Sequence, residues 1–102
     1  MAKLKVRIES NAFTELIEAA DFYQEISNDL AVRLLKDFDT AIEEISKHPQ
    51  QFRVRENSYR AVLLTDFPYL IYYRSLKNEL IVVAVINAHR SNKFIKKRLK
   101  SK

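Results

Sequence analysis

Seven consecutive apolar residues, Leu-Ile-Val-Val-Ala-Val-Ile at positions 80–86, constrain this chain more than any other feature. A half-buried strand alternates apolar and polar side chains, because successive residues point to opposite faces of a sheet. A run without that alternation, rich in branched residues, reads as a strand buried on both faces and therefore central. Residues 79–88 are assigned to it, and the rest of the sheet must be built around it.

Upstream, the period tells where its neighbours lie. Leu4, Val6 and Ile8 alternate with Lys3, Lys5, Arg7 and Glu9, the pattern of a half-buried strand. From Ser10 the period becomes helical. Phe13, Leu16, Ile17, Ala20 and Tyr23 share one face, with Ser10 or Asn11 available as the N-cap. After the polar break Ser27-Asn28-Asp29, a second helical stripe runs through Ala31, Leu34, Leu35, Phe38, Ala41, Ile42 and Ile45. It stops at His48-Pro49, because a residue before proline disfavours the α region. So short a break predicts an antiparallel helix hairpin. Residues 51–55, 59–64 and 69–74 read as further strands, joined by connectors short enough for hairpins. From Ser91 the chain is a basic tail, read as a short helix or a frayed end.

The expected fold is α+β, in the order β-α-α-β-β-β-β. An antiparallel helix hairpin packs on one face of a mostly antiparallel sheet, in a single domain over residues 1–102. With no further helix to cover the other face fully, that open face is where function is expected.

Composition removes several classes of chemistry. There is no cysteine, hence no disulfide, thiol nucleophile or thiolate zinc site. There is no glycine, and phosphate-cradling loops and dinucleotide fingerprints need it. No cofactor and no metal site are expected, and no Ser-His-Asp motif is visible. The N-terminus has no continuous apolar segment of the signal-peptide kind, and no run approaches the roughly 20 residues that span a bilayer. A cytoplasmic protein without membrane contact is expected. Residues 1–49 carry six Lys/Arg and ten Asp/Glu, a balance of −4, while residues 50–102 carry twelve and three, a balance of +9. A basic half on an acidic half suits a nucleic acid or an acidic protein partner.

Four arginines punctuate the strand region: Arg53, Arg60, Arg74 and Arg90. Alternation puts Arg60 on the face opposite Tyr59, Ala61 and Leu63, and Arg74 with Leu70 and Tyr72. Guanidinium groups at strand ends around an open sheet face can grip phosphates bidentately; the alternative is solvated charges with buried stems. Glu56, Arg60 and His89 suggest acid-base work, since cleaving RNA through its 2′-hydroxyl needs a base, an acid and a cation beside the phosphate. Tyr69, Tyr72, Tyr73, Phe67 and Phe52 are either a stacking surface for bases or core. The tail, with Lys93, Lys97 and Arg98, is either a contact for a polyanion or a solubilising end.

Taken together, the helices ending in His48-Pro49, the segments YRAVLL at 59–64, FPYLIYYR at 67–74 and VINAHR at 85–90, and Arg98 beyond them resemble the RelE/ParE superfamily. These are the toxins of bacterial type II toxin-antitoxin modules, associated with plasmid stabilisation. The resemblance implies a growth-inhibiting protein neutralised by a cognate antitoxin, which is expected to bind along the helix hairpin or an exposed sheet edge. RelE-like members cleave messenger RNA on the ribosome; ParE-like members poison DNA gyrase. Arg60 matches an arginine that cleaving members use at the phosphate, and Arg90 lies near a second one. Arg53 and Arg55 stand where those members carry a lysine pair. Their C-terminal tyrosine is missing, since no Tyr follows Tyr73 and Phe94 cannot transfer a proton. Some cleaving relatives use a glutamate and a C-terminal histidine, roles that Glu56 and His89 could imitate. The Phe-Pro-Tyr and His-Arg segments are closer to the ParE-like branch. A non-catalytic ParE-like toxin is therefore the first expectation. A ribosome-dependent endoribonuclease is the second, and a non-toxic nucleic-acid or protein binding module the third. In the first two, Arg53, Arg60, Arg74, Arg90, Lys93, Lys97 and Arg98 are the candidate target contacts.

Overall fold

A computed structural model of the chain describes residues 4–100. Lys3, counted above with the first strand, and Ser101 and Lys102 at the end of the tail lie outside the described residues. The elements run β1 (Lys5–Ile8), α1 (Ser10–Ile26), α2 (Asn28–Lys47), β2 (Val54–Glu56), β3 (Tyr59–Leu63), β4 (Tyr69–Leu76), β5 (Glu79–Asn87) and α3 (Asn92–Lys100). The five strands form one sheet in the order β1-β5-β4-β3-β2. β1 lies parallel to β5, with Ile8 opposite Val82, and every other pairing is antiparallel.

The apolar run sits where its composition requires, in a strand flanked on both sides. Residues 80–86 are all buried. Ala12, Leu16, Ala19 and Ala20 of α1 and Leu34, Phe38 and Ile45 of α2 cover one face, packing on Ile71, Tyr73, Leu80, Val82 and Val85. Burying each such aliphatic side chain is worth roughly 1.5–3 kcal/mol. The other face is not left open. Ile95 and Leu99 of α3 close over Tyr59, Ala61, Leu70, Tyr72, Ile81, Val83, Ala84 and Ile86. The basic tail is thus a packed helix, and the expectation of an uncovered face is corrected. Two apolar residues one turn apart suffice, because residues at i and i+4 share a face.

Several local expectations also shift. The N-cap of α1 is Glu9, through its backbone, rather than Ser10 or Asn11. The Glu9 amide donates to the Val82 carbonyl at 3.0 Å, so β1 feeds directly into the helix. α2 starts at Asn28, capped by Ser27, whose hydroxyl accepts from the Asp29 amide at 3.1 Å. The break between the helices is therefore the single residue Ser27. β2 is shorter than the 51–55 expected and shifted to Val54, because Gln51 is held in a turn by donating to the His48 carbonyl at 3.1 Å. Without glycine, the hairpin turns place Asn57, Ser58 and Lys77 at φ 53°, 69° and 55°. Consecutive positive φ values at Asn57 and Ser58 are the signature of a type I′ hairpin turn.

One irregularity organises everything that follows. Tyr72 pairs with Ala84 and Tyr73 with Val82, so Val83 is an extra residue in β5. The bulge lets Val83 and Ala84 both face α3, while Val82 and Val85 face the helix hairpin.

Candidate functional site: an arginine cleft beside an open strand edge

β1 is four residues long and its pairing ends at Val82, so beyond that point the flank of β5 has no strand neighbour. Unpaired backbone groups there need partners. They find them in two side chains. The Val85 amide donates to Glu15 Oε1 at 2.9 Å, and Arg98 Nη2 donates to the Val83 carbonyl at 2.9 Å. The two side chains also hold each other, with Arg98 Nε at 2.7 Å from Glu15 Oε2 and Nη2 at 2.9 Å from Oε1. This bidentate pair fastens α3 to α1 across the bulge. At the same C-terminal end of α3, the Asn57 side-chain amide donates to the Leu99 carbonyl at 3.1 Å. That bond satisfies one of the carbonyls a helix end leaves without a partner.

Fastened at its C-terminal end, α3 forms one wall of a cleft of about 320 Å³. Arg53, Arg55 and Glu56 come from β2 and its approach, Tyr72 from β4, and Arg90 and Asn92 from the entry to α3. Ser91 caps that entry, its hydroxyl accepting from the Phe94 amide at 3.1 Å. Tyr72 is 3% exposed. Burial raises the pKa of its hydroxyl above the ordinary value, the Arg55 charge lowers it and Glu56 raises it further.

A second depression, a groove of about 490 Å³, lies along the unpaired flank of β5. Its walls are Glu18, Ala19 and Phe22 of α1 and Phe94 of α3, and its far end holds His89 and Arg90. Arg90 borders both depressions, and its guanidinium sits 4.4 Å above the centre of the Phe94 ring. Phe22 is 59% exposed, and Phe13, Ile17, Ile26, Val32 and Leu35 extend apolar surface over the helix hairpin.

These positions sort the residues singled out from the sequence. Arg53, Glu56 and Arg90 come together in the cleft. Arg60 does not join them. It lies on the face opposite Tyr59 and Ala61, as alternation requires, and its Nη1 donates to the Phe52 carbonyl at 2.7 Å. The expectation that it reaches out from the open face is corrected. His89 lies in the groove rather than beside Glu56, so the trio Glu56, Arg60 and His89 is not assembled around one point. Arg98 is engaged by Glu15 and Val83, which corrects its reading as a free target contact. Lys93 and Lys97 are exposed on α3, and Arg74 is exposed near the end of β4.

The aromatics do not form one stacking surface. Phe67 and Tyr69 meet Tyr23 edge-on at 4.9 and 6.4 Å on the hairpin side. Tyr73 is fully buried there, its hydroxyl donating to the Pro49 carbonyl at 2.7 Å, whereas Tyr72 faces α3. The sequence set Arg55 beside Arg53 at the relatives' lysine pair but did not place it among the candidate contacts, and it gave no sign of Asn92 or Glu15. Alternation through Arg53 and Arg55 carried a usable signal for the first; nothing local in the sequence marks the other two. Among the described residues, no group of acidic or histidine side chains is placed to hold a metal ion, and no helix is long and apolar enough to cross a membrane.

The family model described as ParE toxin of type II toxin-antitoxin system, parDE, matches residues 6–93. The chain belongs to the ParE toxin family. Within the broader RelE/ParE superfamily this is the branch to which the Phe-Pro-Tyr and His-Arg segments pointed. A curated protein of Sinorhizobium fredii (strain NBRC 101917 / NGR234) named "Putative toxin Y4kP" is 28% identical over 91 residues, covering 88% of this chain and 94% of that protein. A solved structure described as "Chromosomal ParDE TA system from P. aeruginosa" superposes with a TM-score of 0.76 at 15% identity, covering 85% of this chain and 98% of that one. At that identity the superposition speaks for the fold, which is the ParE-like arrangement of helix hairpin and five-stranded sheet.

Proposed function

We propose that this ParE-family toxin inhibits growth in the cytoplasm by binding its target, DNA gyrase, rather than by cleaving RNA, and that a cognate antitoxin neutralises it. The observation that carries the non-catalytic reading is the separation of the acid-base candidates. Arg60 is committed to the Phe52 carbonyl, and His89 opens into a different depression from Glu56. General acid-base catalysis needs its groups within hydrogen-bond reach of one reacting centre. Family membership supports gyrase as the target class, and the parDE pairing in the family description supports an antitoxin partner.

The groove beside β5 is the antitoxin contact this reading favours. It combines the flank of a strand with no strand neighbour, exposed Phe22 and the adjoining apolar hairpin surface. Strand flanks and apolar grooves are what an extended or amphipathic segment of a partner engages.

Induction of the protein followed by mapping of transcript ends and recovery of DNA-gyrase cleavage complexes tests the target. Trapped gyrase complexes with intact messages are expected. Codon-phased cuts on translated messages would replace this reading with the ribonuclease one, and absence of any growth arrest would remove the toxin reading.

A further inference from the structure

Of the six asparagines in the chain, one is placed for chemistry on its own backbone. Asn57 and Ser58 are the two central residues of the β2–β3 turn, both exposed and both at positive φ, 53° and 69°. Glu56 and Tyr59 close the ladder on either side, so the Ser58 amide stands outside it and makes no hydrogen bond to the described residues. A free amide nitrogen in water, carrying a small side chain, can attack the side-chain carbon of the asparagine before it. The other asparagines lack that freedom. Asn11, Asn28 and Asn92 lie in the first turns of helices, where the dihedrals are fixed. The amide after Asn78 belongs to Glu79, which is paired with Leu76 in the ladder. The amide after Asn87 belongs to Ala88, which donates to the Pro68 carbonyl at 2.8 Å.

The Asn57 side chain also has a structural task, since its Nδ2 donates to the Leu99 carbonyl at 3.1 Å on the last turn of α3. We propose that Asn57 is a site of spontaneous deamidation, with water as the co-reactant, and that the reaction releases the last turn of α3. The Ser58 nitrogen attacks Cγ of Asn57, the Cγ–Nδ2 bond breaks, and the Ser58 amide proton leaves with the departing nitrogen as ammonia. Water then opens the cyclic imide at either carbonyl, its hydroxyl joining the carbon and its proton returning to the Ser58 nitrogen, to give aspartate or isoaspartate. Neither product has the Nδ2 donor, and both carry a new negative charge at the turn. That charge faces the negative end of the α3 dipole, where anions are unfavourable. The bond to Leu99 also orders the events. While it is made, the carboxamide is held; once the last turn lets go, the carboxamide is free to cyclise, and its product cannot restore the bond. A reversible opening thereby becomes permanent. The pair between Arg98 and Glu15 is untouched, so the loss is confined to the seam between α3 and the β2–β3 turn.

The purified chain is aged at neutral and mildly alkaline pH in water enriched in heavy oxygen, and its peptides are mapped by mass spectrometry. Replacement of nitrogen by one labelled oxygen is expected at residue 57 several-fold ahead of the other five asparagines, and faster as pH rises, because the attacking amide must lose its proton. Ser58→Gly keeps the positive φ without penalty and removes the side chain beside the nitrogen, so it should react several-fold faster than the parent. Asn57→Asp supplies one product directly. Hydrogen exchange of the last-turn amides of α3 should rise about tenfold in it, the equivalent of one lost hydrogen bond, while the β5 amides keep the parent's rate. Asn28→Asp adds the same charge on the helix hairpin, across the sheet from α3, and is the control expected to leave α3 exchange unchanged. Labelling spread evenly over the asparagines, or absent at residue 57, would overturn the site. Exchange in α3 no faster in Asn57→Asp than in Asn28→Asp, or a rise shared by β5, would overturn the release. Neither arm uses antitoxin or gyrase, so failure here leaves the toxin reading where it stands.

Discussion

Arg98 and Glu15, 83 residues apart in sequence, meet in a two-bond charge pair whose outer atoms also complete the backbone of β5 at Val83 and Val85. Both side chains are mostly buried, at 15% and 21% exposure, so the pair is shielded from the screening that weakens surface salt bridges. Arg98→Ala is expected to lower the free energy of unfolding by about 1.5–3 kcal/mol, since it strands a carboxylate and a carbonyl. Urea denaturation of Arg98→Ala, Glu15→Ala and the double variant gives the coupling energy. A value above about 0.5 kcal/mol is expected, and strict additivity would show that the two act independently.

The pH dependence of stability should change at the alkaline end. Burial pushes the Tyr73 hydroxyl up from 10.0 to about 12, opposed by the nearby Arg60 charge. A raised folded pKa means the folded state holds its proton more tightly than the unfolded chain. The associated stability is fully present below about pH 10 and is lost as pH rises from there through about 12. Tyr23 and Tyr72 are shifted upward too and act in the same direction. Tyr73→Phe should therefore cost about 1 kcal/mol at neutral pH, through its bond to Pro49, and make the alkaline fall shallower. Thermal melts between pH 8 and 12 provide the comparison; an unchanged alkaline slope would mean the shift is not expressed in stability.

Arg60→Ala should behave as a folding lesion rather than a clean loss of contact with a target. Its guanidinium bond to the Phe52 carbonyl holds the segment between α2 and β2 against the sheet, and removing it is expected to cost about 1.5–3 kcal/mol. Toxicity and melting temperature should fall together. A normally melting, non-toxic variant would place Arg60 at the target surface instead.

Leu99 is fully buried although it sits among lysines, so Leu99→Ala is predicted to destabilise by about 2–5 kcal/mol. Lys97→Ala, two residues earlier and exposed, should change stability by no more than about 0.5 kcal/mol. Paired denaturation curves distinguish a packed helix from a frayed end, for which both changes would be small.

Much of this architecture was readable because it is written in periods. The switch from alternation around Val6 to helical spacing after Ser10, and the unbroken run at 80–86, determine which surfaces must be buried. What escaped depends on distance or on the backbone. Ile95 and Leu99 are two apolar residues in a basic segment, too few to announce a packed helix. The partner of Arg60 is a carbonyl, which every residue carries and no sequence pattern marks. The acceptor for Arg98 is the carbonyl of one extra residue, Val83, and a bulge of that kind leaves no trace in an uninterrupted apolar run.

The register that sets Lys5 opposite Glu79 has a kinetic meaning as well. β3, β4 and β5 are joined by short turns and can zip as soon as neighbouring residues collide. β1 pairs with β5 only after the chain closes a loop containing both long helices and three strands, and such non-local pairings are slow. Until that closure, the flank of the most apolar strand in the molecule stands bare. The rate at which one four-residue strand finds its place therefore governs how long each newly made chain remains exposed to self-association.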